Sequence, residues 1–236
     1  MFDITKPIDL TIHAEGTGPK RSQRPEYVDF MPPCNSACPA GENIQAWMDH
    51  AQSGNYFEAF QTLVEDNPFP AIMGRVCVKP CETGCNRTHI DTTVNIHAVE
   101  RYIGDEAIKE KWPIQFVSYA TGKRILIVGG GPSGLSAAYH LLRMGHSVEI
   151  YESGPHAGGL LWTGVPDYRL PKNILEAEIN RIERLGVKIK LNYQVTDVLL
   201  EKKMGNFDAV YLAIGAQQIR NEEFQHDNSV YITDAF

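Results

Sequence analysis

Five cysteines fall in two groups, Cys34/Cys38 and Cys77/Cys81/Cys85, upstream of a glycine-rich turn, Val128-Gly129-Gly130-Gly131-Pro132-Ser133-Gly134-Leu135. Thiolates are soft ligands suited to iron–sulfur clusters and to zinc. Four-residue spacing can bring two sulfurs to one metal site, and a proline such as Pro39 is common beside cluster ligands. Spacing alone leaves zinc open, because structural zinc also uses closely spaced cysteine pairs; unligated buried cysteines are the third reading. A metal–sulfur segment followed by a dinucleotide turn is the order of an electron-transfer protein.

Gly129-x-Gly131-x-x-Gly134 follows an apolar run and opens a helical one, the context that a dinucleotide fingerprint requires. The first glycine permits a sharp turn, the second lets backbone approach a pyrophosphate, and the third lets helix pack on strand. The helix N-terminus, opened by Pro132 and Ser133, then offers free N–H groups and partial positive charge to phosphates. Glu152 ends the next strand, where an acid binds ribose hydroxyls. An acid there favours FAD or NAD over a 2′-phosphorylated cofactor. Gly158-Gly159 follows soon after, and a backbone without side chains can lie against the cofactor, with Leu160 nearby. The competing reading is a glycine turn with no ligand.

These motifs need two kinds of scaffold. In the first half, Ile44, Trp47, Met48 and Ala51, then Phe57, Phe60, Leu63 and Val64, recur at helical spacing around a break at Gly54. Asn67-Pro68-Phe69-Pro70 ends the second run, and a further helix is expected over Asn95 to Lys111. In the second half the period switches. Strands are expected at Arg124–Val128, Ser147–Tyr151, Val187–Leu191 and Ala209–Ile214, with helices at Ser133–Met144 and Leu175–Leu185. Strand, turn, helix, strand is the unit that needs a parallel sheet. The expected organisation is an extended arm over residues 1–30, a helical domain over 31–115, a linker from Trp112 to Gly122, and an α/β domain over 123–236.

Composition narrows the class. The 236 residues are 43% hydrophobic and 22% charged, as in ordinary globular protein. A net charge of −7 with no long basic stretch gives nucleic-acid binding no support. The apolar stretch from Ile125 to Leu142 is interrupted by four glycines and Pro132, so no membrane span is expected. Met1 to Lys20 lacks the basic start and apolar core of a signal peptide. With an odd number of cysteines, this argues for a reducing cytoplasm rather than a disulfide framework. Thiolate-bound iron there would be oxygen-sensitive.

The sequence resembles the glutamate synthase small-subunit family of iron–sulfur flavoproteins. The matching segments are Cys34-x-x-x-Cys38-Pro39, Asn67-Pro68-Phe69-Pro70, Gly74-Arg75-Val76-Cys77-x-x-Pro80-Cys81-Glu82-x-x-Cys85 and Gly158-Gly159-Leu160-Leu161-x-x-Gly164-Val165-Pro166-x-Tyr168-Arg169-Leu170-Pro171. The helical part is also similar to the N-terminal part of dihydropyrimidine dehydrogenase. The run Pro32 to Ile44 resembles iron–sulfur flavoproteins that serve dissimilatory sulfite reductase. The resemblance implies an α-helical iron–sulfur domain followed by a Rossmann-like FAD-binding domain of the two-dinucleotide type. It implies an oxidoreductase in which NAD(P)H reduces FAD and electrons pass through [4Fe–4S] clusters to a redox partner protein or large catalytic subunit. Flavoproteins of this type carry an Ala-Thr-Gly turn where this chain has Ala213-Ile214-Gly215.

Three departures from the family pattern matter. Members with two clusters carry two more cysteines just before Cys34, where Tyr27 to Pro33 has none. That leaves one cluster with only Cys34 and Cys85, so one complete [4Fe–4S] site is expected and the second is expected absent or altered. By register the complete site takes Cys38, Cys77 and Cys81, and its fourth ligand falls on Glu100. The competing readings are a solvated Glu100 paired with Arg101 or Lys109, and a fourth ligand supplied by Cys85, Cys34 or, more weakly, His97. Family members also continue into an NAD(P)-binding domain that is not found in these residues, so independent NAD(P)H oxidation is not expected of them. The flavin is expected on Gly129, Gly131, Pro132, Ser133, Gly134, Glu152, Gly159 and Leu160. No proton-transfer or nucleophilic catalytic residue is identifiable. The rival to this reading is a non-catalytic assembly subunit with a structural zinc or cluster and an empty nucleotide fold.

Overall fold

Proline placement decides where several helices of this protein begin. In the computed structural model, which describes residues 31–197, 205–215 and 230–232, prolines open α1 (Pro33–Ala37), α4 (Pro70–Val76), α5 (Pro80–Thr83) and α7 (Pro132–Arg143). A helix's first N–H groups have no internal partner, so a residue lacking one costs nothing there. The two apolar runs form α2 (Ile44–Gln52) and α3 (Tyr56–Leu63), separated at Ser53–Asn55. The Asn43 side chain caps α2 by accepting from the Ala46 N–H at 3.3 Å. The third expected helix is α6 (Ile96–Lys109). The arm expected over residues 1–30 lies outside the described residues.

The second half alternates strand and helix: β1 (Arg124–Val128), α7, β2 (Ser147–Tyr151), a short α8 (Leu160–Thr163), α9 (Lys172–Arg184), β3 (Lys188–Lys190), β4 (Ala209–Leu212) and β5 (Val230–Ile232). All pair in parallel, in the order β3-β2-β1-β4-β5. This is the doubly wound order in which the chain reverses direction across β1. Central strand β1 is buried on both faces. Ile125 and Ile127 face the main core, while Leu126 and Val128 join Tyr151, Tyr193 and Phe207 on the other side.

The main core is continuous through both halves. Trp47, Phe60, Leu63, Ile72 and Ile103 from the helices join Leu135, Tyr139, Ile150, Leu175 and Ile182 from the sheet half. Each such side chain contributes roughly 1.5–3 kcal/mol when fully buried. Polar contacts fasten the same seam. Tyr139 donates its hydroxyl to the Val64 carbonyl at 2.6 Å, and Arg143 donates to the Glu65 carbonyl. Gln61 holds the chain after α6, donating to the Pro113 carbonyl and accepting from the Gln115 N–H. Among the described residues no helix is long and apolar enough to cross a membrane.

Helix α4 is the most constrained element. Its N-terminal Ala71 N–H donates at 2.9 Å to Glu178 of α9, a fully buried carboxylate whose other oxygen pairs with Arg181. The Arg181 guanidinium in turn lies over the Phe60 ring, 5.0 Å from its centroid. Burial pushes the Glu178 carboxyl's pKa up, and Arg181 and the Ala71 N–H work against that push. Against α6, α4 packs without side chains between them: a Cβ on Gly104 would fall within 3.0 Å of Ala71 and Pro70 backbone atoms. Gly104→Ala should therefore lose about 1–3 kcal/mol of stability through overpacking. Glu178→Ala, which strands a buried Arg181, should lose about 3–5 kcal/mol. Urea unfolding of both variants checks this; a loss below about 0.5 kcal/mol for Glu178→Ala would show that water replaces the carboxylate.

Candidate thiol cluster and dinucleotide turn

The helical half delivers its thiols from helix ends. Cys34 lies in α1 and Cys38 at its C-terminal cap, Cys77 caps α4, Cys81 lies in α5, and Cys85 precedes a short 3₁₀ turn at Asn86–His89. All five are free thiols. The charges of Cys77 and Cys38 act on Cys81, which makes a first group, and the charge of Cys85 acts on Cys34. The first group is the trio that family register assigns to one cluster.

Burial and backbone donors mark the surroundings of that trio. Burial, reinforced by the charges of Cys77, Cys38 and Glu82, pushes the Cys81 thiol up to about 12. Burial also raises Cys38, against the pull of N–H groups from Glu42, Ala40 and Gly41. The Cys77 sulfur accepts the Lys79 N–H at 3.3 Å. Backbone donors thus reach all three sulfurs, and burial keeps those of Cys38 and Cys81 protonated. Such thiols ionise when a metal takes the negative charge, and N–H donors to cluster sulfurs help set a cluster's potential. Among the described residues no three His, Cys, Asp or Glu side chains converge as the ligands of a single ion would. A [4Fe–4S] cluster spreads its thiolates over separate irons and does not ask for that convergence.

Glu100 is not the solvated residue of the competing reading. It is 6% exposed, while Arg101 pairs with Asp105 and Lys109 with Glu106 and Glu110. Helical periodicity turns Glu100 inward with Ile96, Ile103 and Ala107. There Asn67 donates to both Glu100 (2.9 Å) and Glu42 (3.0 Å), so one amide holds two buried carboxyls. The charge of Glu42 reaches Cys38, which places this pair on the thiol side of the helical half. His97 also faces inward at one atom: its ring Nε2 is buried and has no hydrogen-bond partner among the described residues.

In the sheet half the two glycine turns meet. Gly129, at φ +105°, leaves no room for a Cβ against the Ala213 carbonyl, and Gly134 leaves none against the Gly129 carbonyl. The end of β4 and the start of α7 therefore close on the turn as the fingerprint requires. The Gly158 N–H donates to the Gly130 carbonyl at 2.7 Å, and a Cβ on Gly159 would lie 2.9 Å from Gly131 Cα. Glu152 stands at the turn's edge, accepting from Gly130 N–H (2.7 Å) with one oxygen and from Gly154 N–H (2.7 Å) and Ser153 with the other. Pro132 opens α7, and Ser133 shares a 2.8 Å hydrogen bond with Tyr211 of β4. Leu160 opens α8 beside Gly159 and is largely exposed, as is Ile214 beyond β4. The structure thus gathers Gly129, Gly131, Pro132, Ser133, Gly134, Glu152, Gly159 and Leu160 around the carboxyl ends of β1 and β2. The backbone-only surface left by Gly131 and Gly159 suits a pyrophosphate-bearing cofactor.

Sequence reasoning assigned no role to the residues that hold these parts together. Arg169 donates to the Arg75 and Val76 carbonyls, both at 3.3 Å, and so ties the loop after α8 to the C-terminal end of α4, one residue before Cys77. Lys172 donates to the Trp162 (2.5 Å) and Val165 (3.2 Å) carbonyls, capping α8. Glu42, Asn67 and Glu178 complete the list. Three signals were available: Asn67 and Arg169 stood inside quoted motifs, and Glu178 interrupts an apolar helix face between Leu175 and Ile182.

The buried acids make stability pH-dependent. Burial first, then the charge of Glu42, pushes Glu100 up to about 9, and burial likewise raises Glu42. A carboxyl whose folded pKa lies above its unfolded value binds its proton more tightly in the folded state, so its stabilisation is complete below the unfolded pKa and disappears as pH rises through the folded one. Protein stripped of metal by chelation should therefore lose stability from about pH 4.5 to pH 9, by at most about 1.4 kcal/mol per pH unit for each proton involved. Glu100→Gln should flatten that slope in urea titrations. An unchanged slope would mean that Glu100 ionises freely in the fold.

Comparison with known proteins agrees with this geometry. Residues 23–112 match the family described as dihydropyrimidine dehydrogenase domain II, 4Fe-4S cluster, and residues 127–176 match the NAD(P)-binding Rossmann-like domain. The chain is 36% identical to the NADP(+)-dependent formate dehydrogenase subunit beta of Moorella thermoacetica, over 80% of this chain and 30% of that one. It is 37% identical to the glutamate synthase [NADPH] small chain of Bacillus subtilis, over 79% and 38%. It is 36% identical to the NAD-dependent dihydropyrimidine dehydrogenase subunit PreT of Escherichia coli K12, over 78% and 45%. The chain spans less than half the length of each of these relatives. A 4Fe-4S-type helical part followed by a Rossmann-like part is thus matched in order, and the homologues of the chain include glutamate synthase small chains, PreT and related beta subunits.

Proposed function

We propose that this chain is the cluster- and flavin-binding part of an NAD(P)H-dependent oxidoreductase that passes electrons between FAD and one [4Fe–4S] cluster and on to a partner enzyme. The observation that carries the reading is a 4Fe-4S-type helical half, matched over residues 23–112, that shares one continuous core with the Rossmann-like half bearing the glycine turns. When bound, the flavin exchanges hydride with NAD(P)H, and the cluster carries single electrons. The chain's own residues bind, orient and insulate. Cys38, Cys77 and Cys81 supply three thiolates, and Glu100 supplies the fourth donor, with Asn67 orienting its carboxylate. Gly129, Gly131 and Gly134 admit the pyrophosphate to the N-terminus of α7, aided by Pro132 and Ser133, and Glu152 receives the ribose hydroxyls. Gly159 and Leu160 form the wall beside the cofactor, and Arg169 sets the wall's loop against the Cys77 segment. Oxidation of NAD(P)H is assigned to a further NAD(P)-binding domain, as the family resemblance implies. The partner enzyme and its substrate are the acceptor side of the same scheme, and a cytoplasmic setting suits unoxidised thiols.

Anaerobic purification with counts of iron, sulfide, zinc and flavin tests the reading. Expected are about four irons, four sulfides and one FAD per chain, with flavin bands above broad cluster absorption. Stoichiometric zinc without flavin would overturn it in favour of a structural staple in an assembly subunit. Cys77→Ser should remove the cluster signal and Glu152→Ala should weaken FAD binding about tenfold or more. Glu100→Ala should change the cluster's EPR spectrum and iron content; if both stay as in the unsubstituted protein, the fourth donor lies elsewhere. Arg169→Ala should keep both cofactors and slow reduction of the cluster by photoreduced flavin.

A further inference from the structure

We infer that Cys34 and Cys85 form a reversible dithiol–disulfide pair, a covalent redox site separate from the Cys38, Cys77 and Cys81 donor set. The inference rests on the proposed ligand set in one respect, that these two thiols are left over. Two thiols are what a disulfide takes, whereas a [4Fe–4S] cluster takes four ligands.

The fold places the pair together. A Cβ on Gly84, the residue before Cys85, would meet the Ala37 side chain at 3.2 Å and the Pro33 carbonyl at 3.7 Å. Pro33 directly precedes Cys34, so each cysteine's segment touches the other's. Cys85 is also among the charges that act on Cys34. Both thiols are half-buried and free, within reach of a small oxidant. Neither sits in a long helix. Cys34 belongs to the five-residue α1, where its thiol donates to the Asn35 side chain at 3.8 Å, and Cys85 lies between α5 and a 3₁₀ turn. Short elements of this kind can settle into the roughly 4.4–6.8 Å Cα separation of a disulfide.

The oxidant is a low-molecular-weight disulfide, RSSR. One cysteine, as thiolate, attacks a sulfur of RSSR; the S–S bond breaks and RS⁻ leaves, taking up the proton that the thiol released. The second cysteine attacks the mixed disulfide, the Cys34–Cys85 bond forms, and a second RSH departs. Two thiols lose two electrons, and RSSR becomes two RSH. Cys38 caps α1 and Cys81 lies in α5, so the bond ties together the two segments that present donor thiols. The site lets the thiol poise of the surroundings act on the donor region.

The test uses the full chain, purified anaerobically and incubated in glutathione buffers of graded ratio, then alkylated and mapped by mass spectrometry. Expected is a Cys34–Cys85 linked peptide that appears with oxidised glutathione and disappears with dithiothreitol, while the iron content is unchanged. Cys34→Ser and Cys85→Ser should each abolish the link and keep the iron. Absence of the link at every ratio would overturn the proposal, as would two thiols that alkylate only after chelation, since a metal would then hold them. Loss of iron in Cys34→Ser would overturn it together with the ligand set. A protein that lacks iron but still forms the link would fail the cluster reading alone, which keeps the two separable.

Discussion

The burial of Glu178 against the first turn of α4 is the contact on which the arrangement of this molecule depends. A carboxylate with no access to water needs partners, and it has two: the guanidinium of Arg181 and an N–H that α4 cannot satisfy internally. A helix of the sheet half thereby caps a helix of the other half. At the far end Arg169, again from the sheet half, takes the last carbonyls of α4. Between these ends Gly74 and Gly104 let α6 approach backbone to backbone. The residue that follows α4 in the chain is Cys77. The position of the Cys77 thiol, a proposed cluster ligand, is thus set by contacts from three directions, two of them made by the half that carries the dinucleotide turn.

Burial has the same chemical result on two sets of groups in the helical half. Around Cys38 and Cys81 it suppresses ionisation of groups whose sulfurs already receive backbone donors, a balance that added positive charge would tip. Around Glu42 and Glu100 it keeps protons on acids that one Asn67 amide holds side by side. At the glycine turns there is little side chain to bury, and the surface is built from backbone N–H groups and a helix terminus. Soft anionic donors on one side and a phosphate-sized backbone cradle on the other are fitted to different kinds of cofactor. That division separates this fold from a plain Rossmann unit.

The sequence was most legible where period or spacing carries the information. Apolar runs marked α2, α3 and α6, and strand–turn–helix order marked β1, α7 and β2. The cysteine register separated Cys38, Cys77 and Cys81 from Cys34 and Cys85 by family spacing, and the fold sets all five at the ends of short helices or beside them. Helices α1, α4, α5 and α8 went unseen because four to seven residues hold too little periodicity to register; only the prolines at the starts of three of them gave a sign. Glu100 was open between surface and interior because helical spacing places it on the apolar face while its type argues for water. Tertiary packing decided for the interior. Glu178 and Arg169 acquire their roles from partners about a hundred residues away, and no local pattern encodes such a pairing.

The double anchoring of α4 has a further consequence on the proposed function. Electron tunnelling between two centres weakens exponentially with the gap between them, so a loose hinge would make the transfer rate fluctuate with every thermal excursion. A short helix fixed at its head by a buried acid and at its tail by an arginine acts instead as a spacer of set length. The glycines at Gly74 and Gly104 keep that spacer pressed against its neighbour, and in this sense the absence of two side chains helps to determine how fast a current can flow.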